Sequence, residues 1–129
     1  MVALWCPMSP VTDVAAFGRE WIAAWNAHDL DRVLAHYARD IELSSPIAAE
    51  RVAGSGGYIR GEAALRAYWE SALAANPDLH FDLETVLTAV DGCTILYRNH
   101  RGQQVAESVF WNEAGLVTRA AVAYGPTAG

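Results

Sequence analysis

The chain is short, apolar and acidic: it has 129 residues, of which 53% are hydrophobic, and a formal net charge of −6. This length fits one domain that buries a core without disulfides or metals, so we expect residues 1–129 to form a single domain. The negative charge argues against nucleic acids and anionic membrane surfaces as partners. No apolar run approaches the roughly 20 residues that span a bilayer.

We find no targeting signal in the first residues of the chain and no cofactor signal at its cysteines or in its glycine-rich run. Residues 1–9 lack a basic region followed by a long apolar one, so we predict a flexible extension and no secretion signal. Cys6 and Cys93 have no metal-binding spacing, and two free thiols fit a reducing, cytoplasmic compartment. The glycine-rich run at 54–57 does not lead from a strand into a helix of a βαβ unit. We therefore expect no metal and no other cofactor.

The first part of the chain predicts three helices. Ser9 and Pro10 are typical of a helix start, and an apolar stripe at steps of three and four predicts a helix over 10–27. The stripe consists of Val14, Phe17, Trp21 and Trp25. A break at 26–28 precedes Asp29, which is expected to cap a second, short helix. The third helix is predicted to begin at 61–62 and to end at Asn76–Pro77.

The rest of the chain predicts strands. Residues 40–45 alternate and form a short strand that ends at Pro46, and a long loop is expected over 47–60. Four strand-like segments then follow, separated by turn signals of the hairpin kind. They cover residues 79–90, 93–101, 103–111 and 116–124. Helices that precede an antiparallel meander predict an α+β fold.

Four motifs, in this order along the chain, resemble the NTF2-like superfamily, also described as SnoaL-like or cystatin-like. They are the helix break at 25–31, the strand entry at 36–42, the helix start at 59–65 and the Tyr124–Gly125 ending. The resemblance covers roughly residues 12–125. It implies a cone in which three N-terminal helices pack on a curved, mainly antiparallel sheet, and a homodimer formed through that sheet. This fold hosts isomerases, cyclases, dehydratases, epoxide hydrolases and binding domains.

Ketosteroid isomerases are the members that align most readily. The resemblance places their strand-1 base at Ser45, their helix-1 tyrosine at Trp21 and their protonated acid at Glu107. Only Glu107 keeps comparable chemistry, because a serine cannot replace a carboxylate as a base. The resemblance therefore argues against ketosteroid isomerisation, and the chain shows no Asp-Arg-Asp set typical of the epoxide hydrolases.

Glu107 is the first candidate catalytic residue. If Val105, Glu107 and Val109 share the inner face of their strand, the carboxyl lies inside the cone and burial raises its pKa. The alternative is an outward, solvated glutamate with the intervening residues facing inward. His100, near the end of the preceding strand, is the second candidate, as an acid/base partner of Glu107 across the hairpin. It would otherwise be a strand-end histidine near a turn.

Four further residues are candidate ligand contacts. Trp21 and Trp25 either line a cavity or belong to the core, and both roles are compatible in a cone. Ser45 and Tyr58 offer hydroxyl groups at the expected rim, although a strand end is the commoner use of a serine such as Ser45.

The sequence thus predicts a protein with a pocket for a hydrophobic small molecule. The main hypothesis is an isomerase or cyclase of a hydrophobic carbonyl compound, without a cofactor, in which Glu107 transfers a proton and His100 assists. The first alternative is a non-catalytic binding domain. The second is an interaction module whose exposed sheet face carries Tyr97, Phe110 and Trp111. A homodimer is expected in every case.

Overall fold

A computed structural model describes residues 10–126. The helices are α1 (Val14–Asn26), α2 (Leu30–Leu34), α3 (Pro46–Arg51) and α4 (Glu62–Ala75). The strands are β1 (Tyr37–Ser44), β2 (Tyr58–Arg60), β3 (Asp82–Thr88), β4 (Gly92–Arg98), β5 (Gln104–Trp111) and β6 (Val117–Tyr124). No helix within residues 10–126 has the length and apolar character of a membrane span.

All six strands form one sheet in the order β2-β1-β6-β5-β4-β3. The predicted meander is confirmed, since β3 to β6 pair with their chain neighbours in antiparallel fashion. The strand β1 joins β6 in parallel, with Leu43 opposite Ala120, and carries β2 on its other edge. Register shifts between Leu83 and Thr85 and between Phe110 and Trp111 are the kind of irregularity that bends a strand. The predicted α+β cone is therefore confirmed.

The structure differs from the prediction at the start of α1 and in the loop predicted over residues 47–60. Helix α1 begins at Val14 because the Asp13 carboxylate accepts a hydrogen bond from the Ala16 N–H at 2.9 Å, so Pro10 lies ahead of the helix. The Ser9 half of the predicted start lies outside the described residues. The loop predicted over 47–60 instead contains α3 and β2. Helices therefore number four within residues 10–126.

The Ser45–Pro46 pair explains the missed helix. The Ser45 hydroxyl accepts a hydrogen bond from the Ile47 N–H at 3.2 Å, and Pro46 occupies the first turn of α3. A serine followed by proline ends a strand and also starts a helix, and both happen here in succession.

The apolar stripe of α1 packs across the inner face of the sheet. Phe17, Trp21 and Trp25 are all buried. Trp25 meets the ring of Trp69 from α4 at a centroid distance of 5.0 Å, and Trp21 lies 5.5 Å from the ring of Tyr97 on β4. Aromatic pairs at such distances add stabilisation beyond their buried area. They join α1, α4 and the sheet into one core.

The helix break after α1 is hydrogen-bonded to the segment that precedes β3. The Asn26 side-chain amide donates to the Phe81 carbonyl at 2.9 Å and accepts from the Phe81 N–H at 2.7 Å. The His28 Nε2 atom lies 2.8 Å from the Leu79 carbonyl oxygen, and His28 itself has a left-handed φ of 56°. These contacts hold residues 79–81 against α1 instead of in the sheet, so β3 begins only at Asp82.

Replacing Asn26 tests this attachment. Asn26→Ala leaves the Phe81 N–H and carbonyl without partners, and we expect the free energy of unfolding to fall by about 2–3 kcal/mol. Urea denaturation followed by tryptophan fluorescence measures the change. His80→Ala is the matched control, because His80 is exposed and lies between the two attached residues; an equal loss in both variants would contradict the assignment.

Candidate functional site

A cavity of about 370 Å³ lies between α1, α4 and the inner face of the sheet. Its volume falls within the range typical of small-molecule sites. The buried part of its wall is mainly aromatic and aliphatic, with Trp21, Trp25, Trp69, Phe81 and Val105 among its members. The more exposed part is polar and consists of Glu50, Arg51, Asn76, Asn99, His100, Arg101 and Gln103. We call this second part the mouth.

Glu107 lies on the buried wall. Val105, Glu107 and Val109 are 1%, 3% and 0% exposed, so of the two orientations that the sequence left open the structure has the inward one. The Oε2 atom of Glu107 is buried and has no hydrogen-bond partner within residues 10–126. Because the apolar surroundings disfavour the charged form, burial raises the pKa of Glu107 to about 8. A carboxyl group with this pKa can both hold and release a proton near neutral pH.

Four tyrosine phenols surround Glu107. Burial raises the pKa of each, and the charge of Glu107 raises it further; the total rise is largest for Tyr37 and Tyr97, which are the most deeply buried. Tyr68, Tyr97 and Tyr124 line the cavity, so their neutral phenols supply hydrogen-bond donors close to the carboxyl. The sequence did not reveal this group, because its members come from α4, β1, β4 and β6. For the three tyrosines on strands, the alternation of inward and outward residues was the only sequence signal of their position.

Both predicted tryptophans line the cavity and also belong to the core. The Trp21 indole N–H donates to the Tyr37 hydroxyl at 3.0 Å and is therefore already occupied within the protein. The Trp25 Nε1 atom is buried without a hydrogen-bond partner among the described residues. Their rings, more than their N–H groups, form the surface that an apolar ligand would meet.

The two predicted hydroxyl contacts differ. Ser45 is 4% exposed, lines the cavity and lowers the pKa of Tyr68 and Tyr124 against the larger effect of their burial. Tyr58 does not line the cavity and is 47% exposed, so the prediction for this residue is wrong. The reason is its register: Tyr58 pairs with Ser44, whose side chain lies on the opposite face from Ser45.

His100 lines the mouth, but the predicted pair with Glu107 does not form. Across the β4–β5 hairpin Glu107 faces Ile95, five positions before His100, which lies in the turn beyond the end of β4. The His100 Nε2 atom instead lies 3.7 Å from the carboxylate of Asp78. Its Nδ1 atom is buried without a partner in the described part of the chain.

The described residues also show whether metal-binding side chains or a reactive thiol are present. Among residues 10–126, no three His, Cys, Asp or Glu side chains are arranged to hold a metal ion. Cys93 is a buried free thiol whose pKa is raised by burial to about 12, so it stays protonated. The other cysteine, Cys6, lies outside the described residues.

The sequence matches the family model of the SnoaL-like domain over residues 18–123. The chain therefore belongs to the SnoaL-like family. No curated protein sequence matches it.

Solved structures show the same fold. A SnoaL-like protein of unknown function from Burkholderia thailandensis is 40% identical, with a TM-score of 0.83 over 86% of this chain and 92% of its own. A candidate polyketide cyclase from Sinorhizobium meliloti is 14% identical, with a TM-score of 0.66 over 81% and 90%. TerC, co-crystallised with polyporic acid, is 15% identical, with a TM-score of 0.71 over 88% and 92%. The last two similarities concern the fold alone.

The buried carboxyl predicts a pH-dependent stability. The folded chain keeps the Glu107 proton up to about pH 8, whereas the unfolded chain releases it near pH 4.5. Between these values the folded state binds more protons, so the free energy of unfolding falls as pH rises, by at most about 1.4 kcal/mol per pH unit. Glu107→Gln removes this contribution and should gain stability relative to the wild type across the same window. Urea denaturation of both proteins at several pH values measures the free energy of unfolding. The same pH dependence in both proteins would contradict the assignment.

Proposed function

We propose that this protein is an isomerase or cyclase that acts on a hydrophobic carbonyl compound by proton transfer through Glu107. The observation that carries the proposal is a buried carboxyl group on the wall of a cavity, with a pKa of about 8 and with its Oε2 atom unpartnered within residues 10–126. Such a group costs stability, and catalytic sites are where proteins keep groups of this kind. The proposed reaction uses no cofactor.

The ionised form of Glu107 is the proposed base. With a pKa of about 8, roughly a tenth of the molecules carry the carboxylate at pH 7. It removes a proton from the carbon next to the carbonyl, and the C–H electron pair moves to give an enolate. The phenols of Tyr97 and Tyr124 donate hydrogen bonds to the enolate oxygen. In an isomerase the proton then returns from Glu107 to another carbon. In a cyclase the enolate carbon attacks a second carbonyl, whose π electrons move to its oxygen, and this oxygen takes the proton back from Glu107.

His100 has a secondary role in this proposal. It lies at the mouth, beyond direct reach of Glu107 by the strand register, and its ring meets the outer end of a ligand. There it assists as an acid or base toward that end. Ketosteroid isomerisation is not proposed, because Ser45 and Trp21 replace two of the three groups that the resemblance requires.

A non-catalytic binding domain is the second candidate. Ser45 favours this candidate, because it lies where the resemblance places a carboxylate. Among the described residues, Glu107 is therefore the one carboxyl group on the buried wall of the cavity. A solvent-facing Glu107 would have supported it further, but this carboxyl is buried. The proposed interaction module is corrected in one respect: Tyr97 and Trp111 are 4% and 6% exposed and lie on the inner face of the sheet.

The outer face of the sheet supports the proposal of a homodimer. One cross-strand row runs over all six strands, with the large, exposed Leu87 and Tyr58 at its ends and the smaller Thr94, Ser108, Ala121 and Ser44 between them. Thr94 and Ser108 are hydrogen-bonded to each other at 2.9 Å, so the middle of the row presents short side chains to a second copy. We also propose a cytoplasmic location, because a reducing compartment suits the free thiol of Cys93.

Charge placed at the centre of the outer face tests the dimer. Ala121→Glu sets like charges against each other across the proposed two-fold contact and should convert the dimer to a monomer. Light scattering coupled to size-exclusion chromatography measures the mass. Ala67→Glu, on the exposed side of α4, is the matched control and should remain dimeric; a monomeric wild type would refute the proposal.

Removing the carboxyl tests the reaction. We expect acetylnaphthalene to exchange its methyl protons for deuterium in the presence of the protein, and Glu107→Gln to slow this exchange by at least about 100-fold. The wild-type rate should rise with pH and level off above about 8, because the carboxylate is the active form. Proton NMR follows the exchange.

The control is Glu113→Gln, which removes a carboxylate from the exposed turn after β5. It should exchange at the wild-type rate. Unchanged exchange in Glu107→Gln would overturn the catalytic proposal. A rate that falls as pH rises would instead identify the protonated carboxyl as the active form and refute its assignment as the base.

A further inference from the structure

The mouth of the cavity carries two arginines that are not engaged in ion pairs. Four of the nine basic residues of the chain form ion pairs with carboxylates: Arg32, Arg60, Arg66 and Arg98. Arg51 and Arg101 line the mouth, and neither has a carboxylate partner within residues 10–126. Within residues 10–126, Arg19, Arg39 and Arg119 have no ion pair either, so it is the position of Arg51 and Arg101 at the entrance of an apolar cavity that points to an anionic ligand group.

Arg101 is held in place by a rigid turn. The Asn99 side-chain oxygen accepts hydrogen bonds from the backbone N–H groups of Arg101 and Gln103, both at 3.0 Å. The Arg101 Nη2 atom donates to the Asn76 side chain at 3.0 Å, at the end of α4. A guanidinium group has five N–H donors, so most of them remain available at the mouth. A positioned arginine of this kind is suited to a carboxylate.

Arg51 approaches the mouth from the other side. It lies in the last turn of α3, where the Ser55 hydroxyl donates to the Ala48 carbonyl at 3.1 Å and fixes the helix end. Burial raises the pKa of Tyr68, and the charge of Arg51 opposes part of this rise, which agrees with the position of both residues on the cavity wall. Glu50 is the one acidic residue that lines the mouth, and the formal charge of the lining arginines and this glutamate together is positive.

We propose that the ligand is an elongated amphipathic carboxylic acid whose carboxylate binds Arg101 and Arg51 while its carbonyl end reaches Glu107. The carbonyl half of this statement rests on the proposed function, whereas the carboxylate half does not. Glu107 lies on the buried wall of the cavity and the two arginines lie at its mouth. The acid and carbonyl groups of the ligand are therefore placed at opposite ends of a flat apolar frame that packs against the aromatic wall.

A matched pair of ligands tests the carboxylate contact. The probe is an acetylnaphthoic acid with its two substituents at opposite ends of the ring system, and the comparison is its methyl ester. Binding is measured by isothermal titration calorimetry. We expect the wild type to bind the acid about tenfold more tightly than the ester. The double variant Arg51→Gln/Arg101→Gln should lose this preference and keep its affinity for the ester.

Two control variants distinguish a failure of the carboxylate contact from a failure of the proposed reaction. Arg39→Gln removes the same charge from an exposed part of β1 and should keep the preference for the acid. Glu107→Gln should also keep it, so a loss of exchange activity without a loss of acid binding concerns the proposed reaction alone. Equal binding of acid and ester by the wild type, or an equal loss of both in the double variant, would overturn the inference even if Glu107 proves catalytic.

Discussion

The attachment of the helix break to the segment before β3 is the constraint on which the cavity depends. Asn26 satisfies both backbone groups of Phe81, and His28 meets the carbonyl of Leu79. Residues 79–81 thereby leave the sheet and turn toward α1, so that Leu79 and Phe81 become part of the cavity wall. The Trp21–Tyr37 hydrogen bond joins α1 to β1, and this bridge adds a directional contact to the segment before β3, which apolar packing does not provide. Two polar side chains therefore set the geometry of an otherwise aromatic site.

The same aromatic packing determines the electrostatics of the site. Trp21, Trp69 and Phe81 bury the cavity wall, and the desolvation that follows raises the pKa of Glu107. It also keeps the surrounding phenols neutral, since ionising them near a carboxylate is costly. One physical cause thus yields a proton acceptor near neutral pH and hydrogen-bond donors beside it. The mouth differs because it is more exposed to solvent, where water hydrates the charged side chains.

Local patterns in the sequence predicted much of the fold. The stripe of α1, the Asp29 cap of α2 and the turn signals between strands are short-range features, and the structure confirms each of them. Alternation with period two also placed Val105, Glu107 and Val109 on one face, but it did not determine whether that face is the inner one. The missed elements, α3 and β2, are short, and the Ser45–Pro46 pair that starts α3 suits a strand end equally well.

Much of the site could not be predicted, because it depends on which strands become neighbours. The prediction for Tyr58 assumed the wrong face of the sheet, because that face is set by its pairing with Ser44. The separation of His100 from Glu107 follows from the hairpin register. Tyr37 joins the other phenols through the parallel pairing of β1 with β6, and no local signal encodes that contact. The function is less predictable still, since this family fold serves several chemistries.

The parallel pairing of β1 with β6 also affects how the protein is made. Leu43 meets Ala120, a partner close to the other end of the described chain, so this contact closes a very long loop. Contacts of such sequence separation slow folding, because the entropy of loop closure is lost before the pairing is gained. During synthesis the aromatic face of α1 is complete long before β6 leaves the ribosome. The nascent chain therefore carries exposed tryptophans for most of its elongation, and this interval is where aggregation and chaperone binding would compete with folding.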